Sequence, residues 1–297
     1  MKTTAIRAAT DFSEEADHAA LRGAMLGAAL GLSQGTLFHC LRPSRVERMR
    51  DFLARHRQPA EVIEEESRRA LEERVERFGK QTGFRYEPRL VHESLVETLP
   101  DTPDRNDLLV LGGRGAGRVQ DLMLGTTAEP VIRASDNPVL VVRNRPEGEW
   151  QRVMIPVDFS PDSRAALSLA RELAPSAQLV ILHALEPLPG AAEGYTGIRD
   201  AEVRAWRAET EQHAREQLDL LLADCGISED EVEFIMEYAY PPALATTRAE
   251  HDEADLVVVG KQGHSRLYQW LIGSVTHHVL RRTGADVLVV SAGDNED

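Results

Sequence analysis

VVVGKQGHSRLYQWLIGS, residues Val257–Ser274, runs from an apolar β-branched burst into a polar loop with glycine at 260, 263 and 273, and closes on a serine. The chain writes the same pattern earlier as LVLGGRGAGRVQDLMLGT, residues Leu109–Thr126, where Gly112, Gly115, Gly125 and Thr126 fall 148 positions before Gly260, Gly263, Gly273 and Ser274. Both copies run on through a helical pattern to VLVV, at 139–142 and 287–290. Repetition on this scale is the first thing to settle, because overlooking it would misassign the whole fold.

Working outward, the repeat extends to both ends. AATDFSEEADHAAL near the start recurs in IPVDFSPDSRAALSLA, placing Asp11-Phe12-Ser13 over Asp158-Phe159-Ser160. His39 after GTLF matches His183 after LVIL, so only small insertions separate the copies. The join lies in RNRPEGEW, residues 143–150, a charged Pro/Gly stretch of the kind that links domains. The expected domains are residues 1–146 and 151–294.

Each half alternates short apolar strands with amphipathic helices. In the second half the strands are expected at 152–157, 178–183, 232–237, 256–260 and 286–290. Ser160-Pro161 is a strong helix start, with serine capping unpaired amides and proline in the first turn, where no donor is needed. AEVRAWRAETEQHAREQLDLLLADCG carries apolar residues at helical spacing and stops at Gly226. The corresponding helix of the first half pairs Glu64 with Arg68 and Glu65 with Arg69 at four-residue spacing, the mark of a solvated face. Apolar strands alternating with helices require a parallel sheet covered on both faces, joined by right-handed crossovers. The fold class is therefore α/β, with two tandem doubly wound domains of five strands each.

Composition excludes several functions. With 42% hydrophobic and 28% charged residues, the 297-residue chain is globular, and no apolar run reaches the ~18 residues of a membrane span. The opening MKTTAIRAATDFS has neither a secretion nor a transit pattern, so a cytoplasmic location is expected. A net charge of −15 argues against nucleic acid, whose binders carry a basic footprint. Cys40 and Cys225, without CxxC spacing, fit a reducing compartment and leave no disulfide or zinc role.

In open parallel sheets the ligand site lies beyond the carboxyl ends of the strands, where strand order reverses. If the first and fourth strands of a domain flank that point, Asp158 and Gly260 face one crevice. Glycines there let backbone approach a ligand closely. The helix opened by Gly273-Ser274 offers unpaired amides and a positive dipole end to an anion. A phosphate ester follows, and Asp158, which would repel the phosphate, is better placed to accept from ribose hydroxyls or a base amino group. The bland alternative is that these glycines only shape strand-to-helix turns.

The combination of Gly-x2-Gly-x9-Gly-[Ser/Thr] after a DLVVVG strand, PVDFS on the first strand and VLVV on the last resembles the universal stress protein family in its tandem form. That resemblance implies a Rossmann-like, soluble stress-response regulator holding ATP or AMP, with Mg²⁺ accompanying ATP and hydrolysis at most slow. Carried onto this sequence, Pro156, Val157, Asp158 and Ala184 would contact base and ribose, and Gly260, Gly263, Gly273, Ser274 and Val275 would hold phosphates. In the first half the counterparts are Asp11, Cys40, Gly112, Gly115, Gly125 and Thr126. The resemblance also leaves room for a protein partner and a homodimer.

The halves fit it unequally. Ala9 and Thr10 stand where the second half has Pro156 and Val157, and the Gly-x-Pro expected after the third strand is Ala239-Tyr240-Pro241 in the second half and missing from the first. Tyr240 either stacks on a base or blocks it, and the second domain ranks first as the nucleotide site. His39 and His183 read as structural histidines, and His277-His278 lacks a companion cluster for zinc. Lys261, His264 and Arg266 decorate the loop, where their charge would suit a ligand phosphate, but solvent-facing loop residues are the commoner outcome and the expected one. Ser274 lacks the base and acid of a nucleophile. The competing functions are an interaction scaffold with degenerate pockets and a slow ATPase. No GxxxxGK[ST] occurs to support faster phosphoryl transfer.

Overall fold

In the computed structural model, the described residues are 2–33, 35–41, 60–102, 104–113, 125, 127–187, 199–263 and 272–293. The chain divides into two compact units, Lys2–Glu147 and Gly148–Asp297, apart from Met1.

The first unit runs β1 (Ile6–Ala9), α1 (Glu14–Ala29), β2 (Gly35–Cys40), α2 (Ala60–Thr82), β3 (Tyr86–Val91), α3 (Leu95–Thr98), β4 (Leu108–Gly112), α4 (Ala128–Ala134) and β5 (Val139–Val142). Its strands lie in the order β3-β2-β1-β4-β5, every pair parallel. The second unit runs β6 (Arg152–Pro156), α5 (Pro161–Leu173), β7 (Gln178–Leu185), α6 (Asp200–Cys225), a 3₁₀ turn at Glu229–Glu231, β8 (Val232–Tyr238), α7 (Pro241–His251), β9 (Leu256–Gly260), α8 (Ser274–Arg282) and β10 (Asp286–Val290). Its order, β8-β7-β6-β9-β10, repeats that of the first, again wholly parallel.

The sequence dictates this locally. The inner strands are sealed on both faces: Val153, Met154, Ile155, Leu256, Val257 and Val258 are fully buried, as are Leu108, Leu109 and Val110 in the first unit. Such strands form only where helices cover both sides. Helix α5 starts where Ser160 accepts from the Ser163 amide, with Pro161 opening the first turn. Helix α6 stops at Gly226 in the left-handed conformation, φ 62°. The Glu64–Arg68 and Glu65–Arg69 pairs form on the exposed face of α2. No described helix is long and apolar enough to cross a membrane.

In each unit the first and fourth strands are neighbours and the chain leaves them in opposite directions. The crevice at their carboxyl ends is therefore the point where strand order reverses.

Candidate functional site

In the second unit that crevice opens into a cleft of about 1300 Å³. Its wall includes every residue that the sequence assigns to this half: Pro156, Val157 and Asp158 leaving β6, Ala184 on β7, Gly260 and Gly263 after β9, and Gly273, Ser274 and Val275 opening α8.

Asp158 is held by the start of its own helix. Its Oδ1 accepts from the Ser163 hydroxyl at 2.6 Å and from the Ser160 amide at 3.1 Å, while the Asp158 amide donates back to Ser163 Oγ at 3.1 Å. Between Asp158 and Ser160 lies Phe159 at φ 62°, a left-handed conformation costly for a residue with a side chain. Its ring packs on His183 at 4.6 Å, and His183 Nδ1 donates to the Val157 carbonyl at 2.9 Å. The first unit repeats the device: Phe12 has φ 67° and stacks on His39 at 4.0 Å, and His39 Nδ1 donates to the Thr10 carbonyl at 2.8 Å. Both imidazoles are fastening side chains. Burial lowers the pKa of each below the usual histidine value, against the raising effect of that carbonyl bond and of Asp158 or Asp11.

The glycines divide by what surrounds them. A Cβ at Gly260 would lie 2.7 Å from Cβ of Asp162, and one at Gly263 would lie 2.5 Å from Asp158 Oδ2. Neither has a positive φ, so what calls for glycine at these two positions is space. At Gly273 the nearest atom to a Cβ, among the described residues, is the Lys261 carbonyl oxygen, at 3.5 Å. Among the described residues, nothing requires glycine at 273.

Gly273 is also the N-cap of α8, and no side chain caps that helix or places an acid in its first turn. The Gly273 amide donates to the Lys261 carbonyl at 2.9 Å, and Thr276 Oγ1 donates to the Gly260 carbonyl at 2.6 Å, tying the helix start to the glycine turn. Lys261 is 3% exposed, so the solvent-facing reading of it is corrected: its backbone amide donates to Val290 and the residue is enclosed. His264 and Arg266 lie outside the described residues.

Sequence reasoning missed the far wall of the cleft, where α6 contributes Trp206, Glu209, Thr210 and His213. Trp206 Nε1 donates to the Glu186 carbonyl at 3.3 Å, and the Tyr238 hydroxyl pairs with Thr210 Oγ1 at 2.8 Å. These residues belong to an amphipathic helix pattern and carry no motif; only their placement marks them. Tyr240, at the N-cap of α7, is 67% exposed and stands at the wall without filling the cleft.

In the first unit Gly112 ends β4, and the Gly125 amide donates to the Gly113 carbonyl at 2.9 Å, repeating the Gly273–Lys261 bond. Gly115 and Thr126 lie outside the described residues. Asp11 is exposed, its Oδ1 accepting from the Ser13 amide and hydroxyl. Ala16 stands where Ser163 holds Asp158. Cys40 turns its thiol to the Glu93 carbonyl at 3.0 Å. Among the described residues no cluster of three or more His, Cys, Asp or Glu could hold a metal.

The model of the universal stress protein family matches residues 3–143 and 149–291. A universal stress protein of Mycolicibacterium smegmatis is 28% identical over 295 residues, covering 94% of each chain. One from Synechocystis is 30% identical over 196 residues, covering 65% of this chain and 61% of its own. Among solved structures, a universal stress protein from Archaeoglobus fulgidus superposes with a TM-score of 0.62 at 18% identity, covering 99% of this chain and all of its own.

Proposed function

Because the chain belongs to the universal stress protein family, its two repeats accounting for nearly the whole sequence, we propose that it is a stress-response regulator whose second unit binds an adenine nucleotide, ATP or AMP. The observation that carries this reading is Gly273. It is a glycine that the described residues around it leave room to replace, at a helix start without a side-chain cap, lining the same cleft as the fixed carboxylate of Asp158.

The chemistry divides along the cleft. The first turn of α8 offers backbone amides and the positive end of the helix dipole to phosphate oxygens. Asp158, held by Ser160 and Ser163, presents its carboxylate to ribose hydroxyls. Pro156, Val157 and Ala184 supply apolar surface for the base, and Tyr240 stands at the rim, available to stack. Mg²⁺ would arrive with the phosphates of ATP, as bound triphosphates usually bring it.

Two measurements test the reading. Mass spectrometry of small molecules released from protein purified under native conditions should show an adenylate. Addition of AMP or ATP at a hundredfold excess over the dissociation constant should stabilise the chain by ~2.7 kcal/mol. No released adenylate and no melting shift with either nucleotide would leave the interaction scaffold as the better account.

A further inference from the structure

Behind the wall of the proposed nucleotide site lies a buried carboxylate that the family motif does not use. Asp162, in the first turn of α5, is 4% exposed. Its Oδ2 accepts from the Gln262 amide at 2.9 Å, and its Oδ1 accepts from the Ala292 amide at 3.0 Å. One side chain thus grips both the turn that follows β9 and the segment that follows β10, at sequence separations of 100 and 130 residues.

The grip is close. The Cβ of Asp162 is what a side chain at Gly260 would strike, at 2.7 Å. The turn it holds leads directly to the helix that faces the phosphates, since Lys261 accepts from the Gly273 amide and Gly260 accepts from Thr276 Oγ1. Asp162 also lies four residues beyond Asp158 at the same helix start. Through that helix start, one rigid element carries both the carboxylate assigned to the ribose and the carboxylate that anchors the phosphate turn.

We infer that Asp162 is a positioning residue that fixes the spacing between the ribose end and the phosphate end of the cleft. It touches no ligand itself. Its two bonds set where the Gly260–Gly263 turn, and with it the first turn of α8, stands relative to Asp158. The inference rests on the nucleotide reading given above. It assigns to Asp162 a selectivity for phosphorylated over unphosphorylated ligand, which a purely structural role would not produce.

The test compares AMP with adenosine by calorimetric titration of the full chain and of Asp162→Asn. Asparagine keeps the size but turns a hydrogen-bond donor toward one of the two amides, so one charge-assisted bond is lost and two donors face each other. AMP should bind more than about tenfold more weakly, while adenosine changes by less than about twofold. Equal weakening of both ligands, or of neither, would overturn the positioning role while leaving the nucleotide reading intact. If the unaltered chain binds neither ligand, the nucleotide reading falls and this inference falls with it. If Asp162→Asn does not fold, amide hydrogen exchange on the unaltered chain decides. The Gln262 and Ala292 amides should be protected before any ligand is added, and exchange at the rate of an open loop would refute the grip.

Discussion

Replacing Gly273 by alanine separates a ligand-shaped glycine from a fold-shaped one. Gly273 has φ −60° and ψ 157°, a conformation open to any L-residue. A Cβ there would meet the Lys261 carbonyl oxygen at 3.5 Å, the Gln262 Cα at 3.7 Å and the Gly263 nitrogen at 3.9 Å, all ordinary van der Waals distances. Alanine is a poorer N-cap than glycine by roughly 0.5–1 kcal/mol. It also restricts the unfolded chain, which returns about 0.4–1 kcal/mol. The two effects nearly cancel, so the ligand-free stability should change by no more than about 0.5 kcal/mol. In the complex, phosphate oxygens must come within about 2.9 Å of the amides in this first turn. A methyl group in that approach displaces at least one charge-assisted bond, worth ~1.5–3 kcal/mol, and so weakens AMP or ATP by roughly 10- to 150-fold. Denaturant unfolding of the ligand-free variant and calorimetric titration measure the two halves of the prediction. Unchanged affinity would show that no phosphate approaches this backbone. A loss of more than about 2 kcal/mol without ligand would show that the glycine serves the fold instead.

Gly263→Ala should behave differently, because its Cβ would lie 2.5 Å from Asp158 Oδ2 and Asp158 cannot swing aside without breaking its bonds to Ser160 and Ser163. Here the ligand-free protein itself should lose about 1–3 kcal/mol in denaturant unfolding, and a variant of normal stability would contradict the contact. Ser163→Ala removes both hydrogen bonds between Ser163 Oγ and Asp158, at a site 3% exposed, and should cost about 1–2 kcal/mol together with weaker binding of adenosine and AMP alike. If adenosine binding survived intact, Asp158 would not be the ribose ligand. The half-buried His39 and His183 predict a pH dependence. Burial lowers their folded-state pKa below the unfolded value, so between the two the unfolded chain binds more protons and stability rises with pH.

 

The contribution of His39 and His183 is therefore fully present above about pH 6.5 and is lost as the pH falls through their folded-state values. Unfolding midpoints measured across that range should fall on acidification, and His183→Gln should flatten the slope; an unchanged slope would show that His183 does not titrate with folding.

Much of the fold was legible because the chain states it twice. The second-half strands expected at 256–260 and 286–290 occur at those residues, and the one expected at 178–183 runs on to Leu185. That strand is longer because it lies between β6 and β8, and its pairing with β8 continues through Ala184 and Leu185. The helix boundaries at Ser160 and Gly226 were legible because each uses a residue with one local task, a capping hydroxyl or a left-handed turn. Phe12 and Phe159 were not. An aromatic side chain at positive φ runs against local preference, and the histidine on which each ring packs lies 24–27 residues further along the chain, on the second strand of its unit. Asp162 was equally hidden: from the sequence it is an acid in a first helical turn, an ordinary response to the helix dipole. Its two amide partners lie 100 and 130 residues away, beyond the reach of any periodicity.

The duplicated motif also shows why a repeated sequence need not give repeated chemistry. Both units keep the parts that shape the sheet end: the strained phenylalanine, the histidine fastened to a carbonyl, and the amide bond from Gly125 or Gly273 back across the glycine loop. They differ in the parts that would aim at a ligand. Ser163 holds Asp158 in the second unit, whereas in the first Ala16 takes that position and Asp11 is bonded to Ser13. Ala184 leaves the cleft wall bare, whereas the Cys40 thiol reaches the Glu93 carbonyl. Fastening residues act on the fold, so losing one would destabilise the whole unit. Aiming residues act only on the ligand, so one copy can lose them while the other keeps the site. That division makes the second unit the stronger candidate for the nucleotide, and it rests on the side chains around the glycines, since the glycine spacing is common to both.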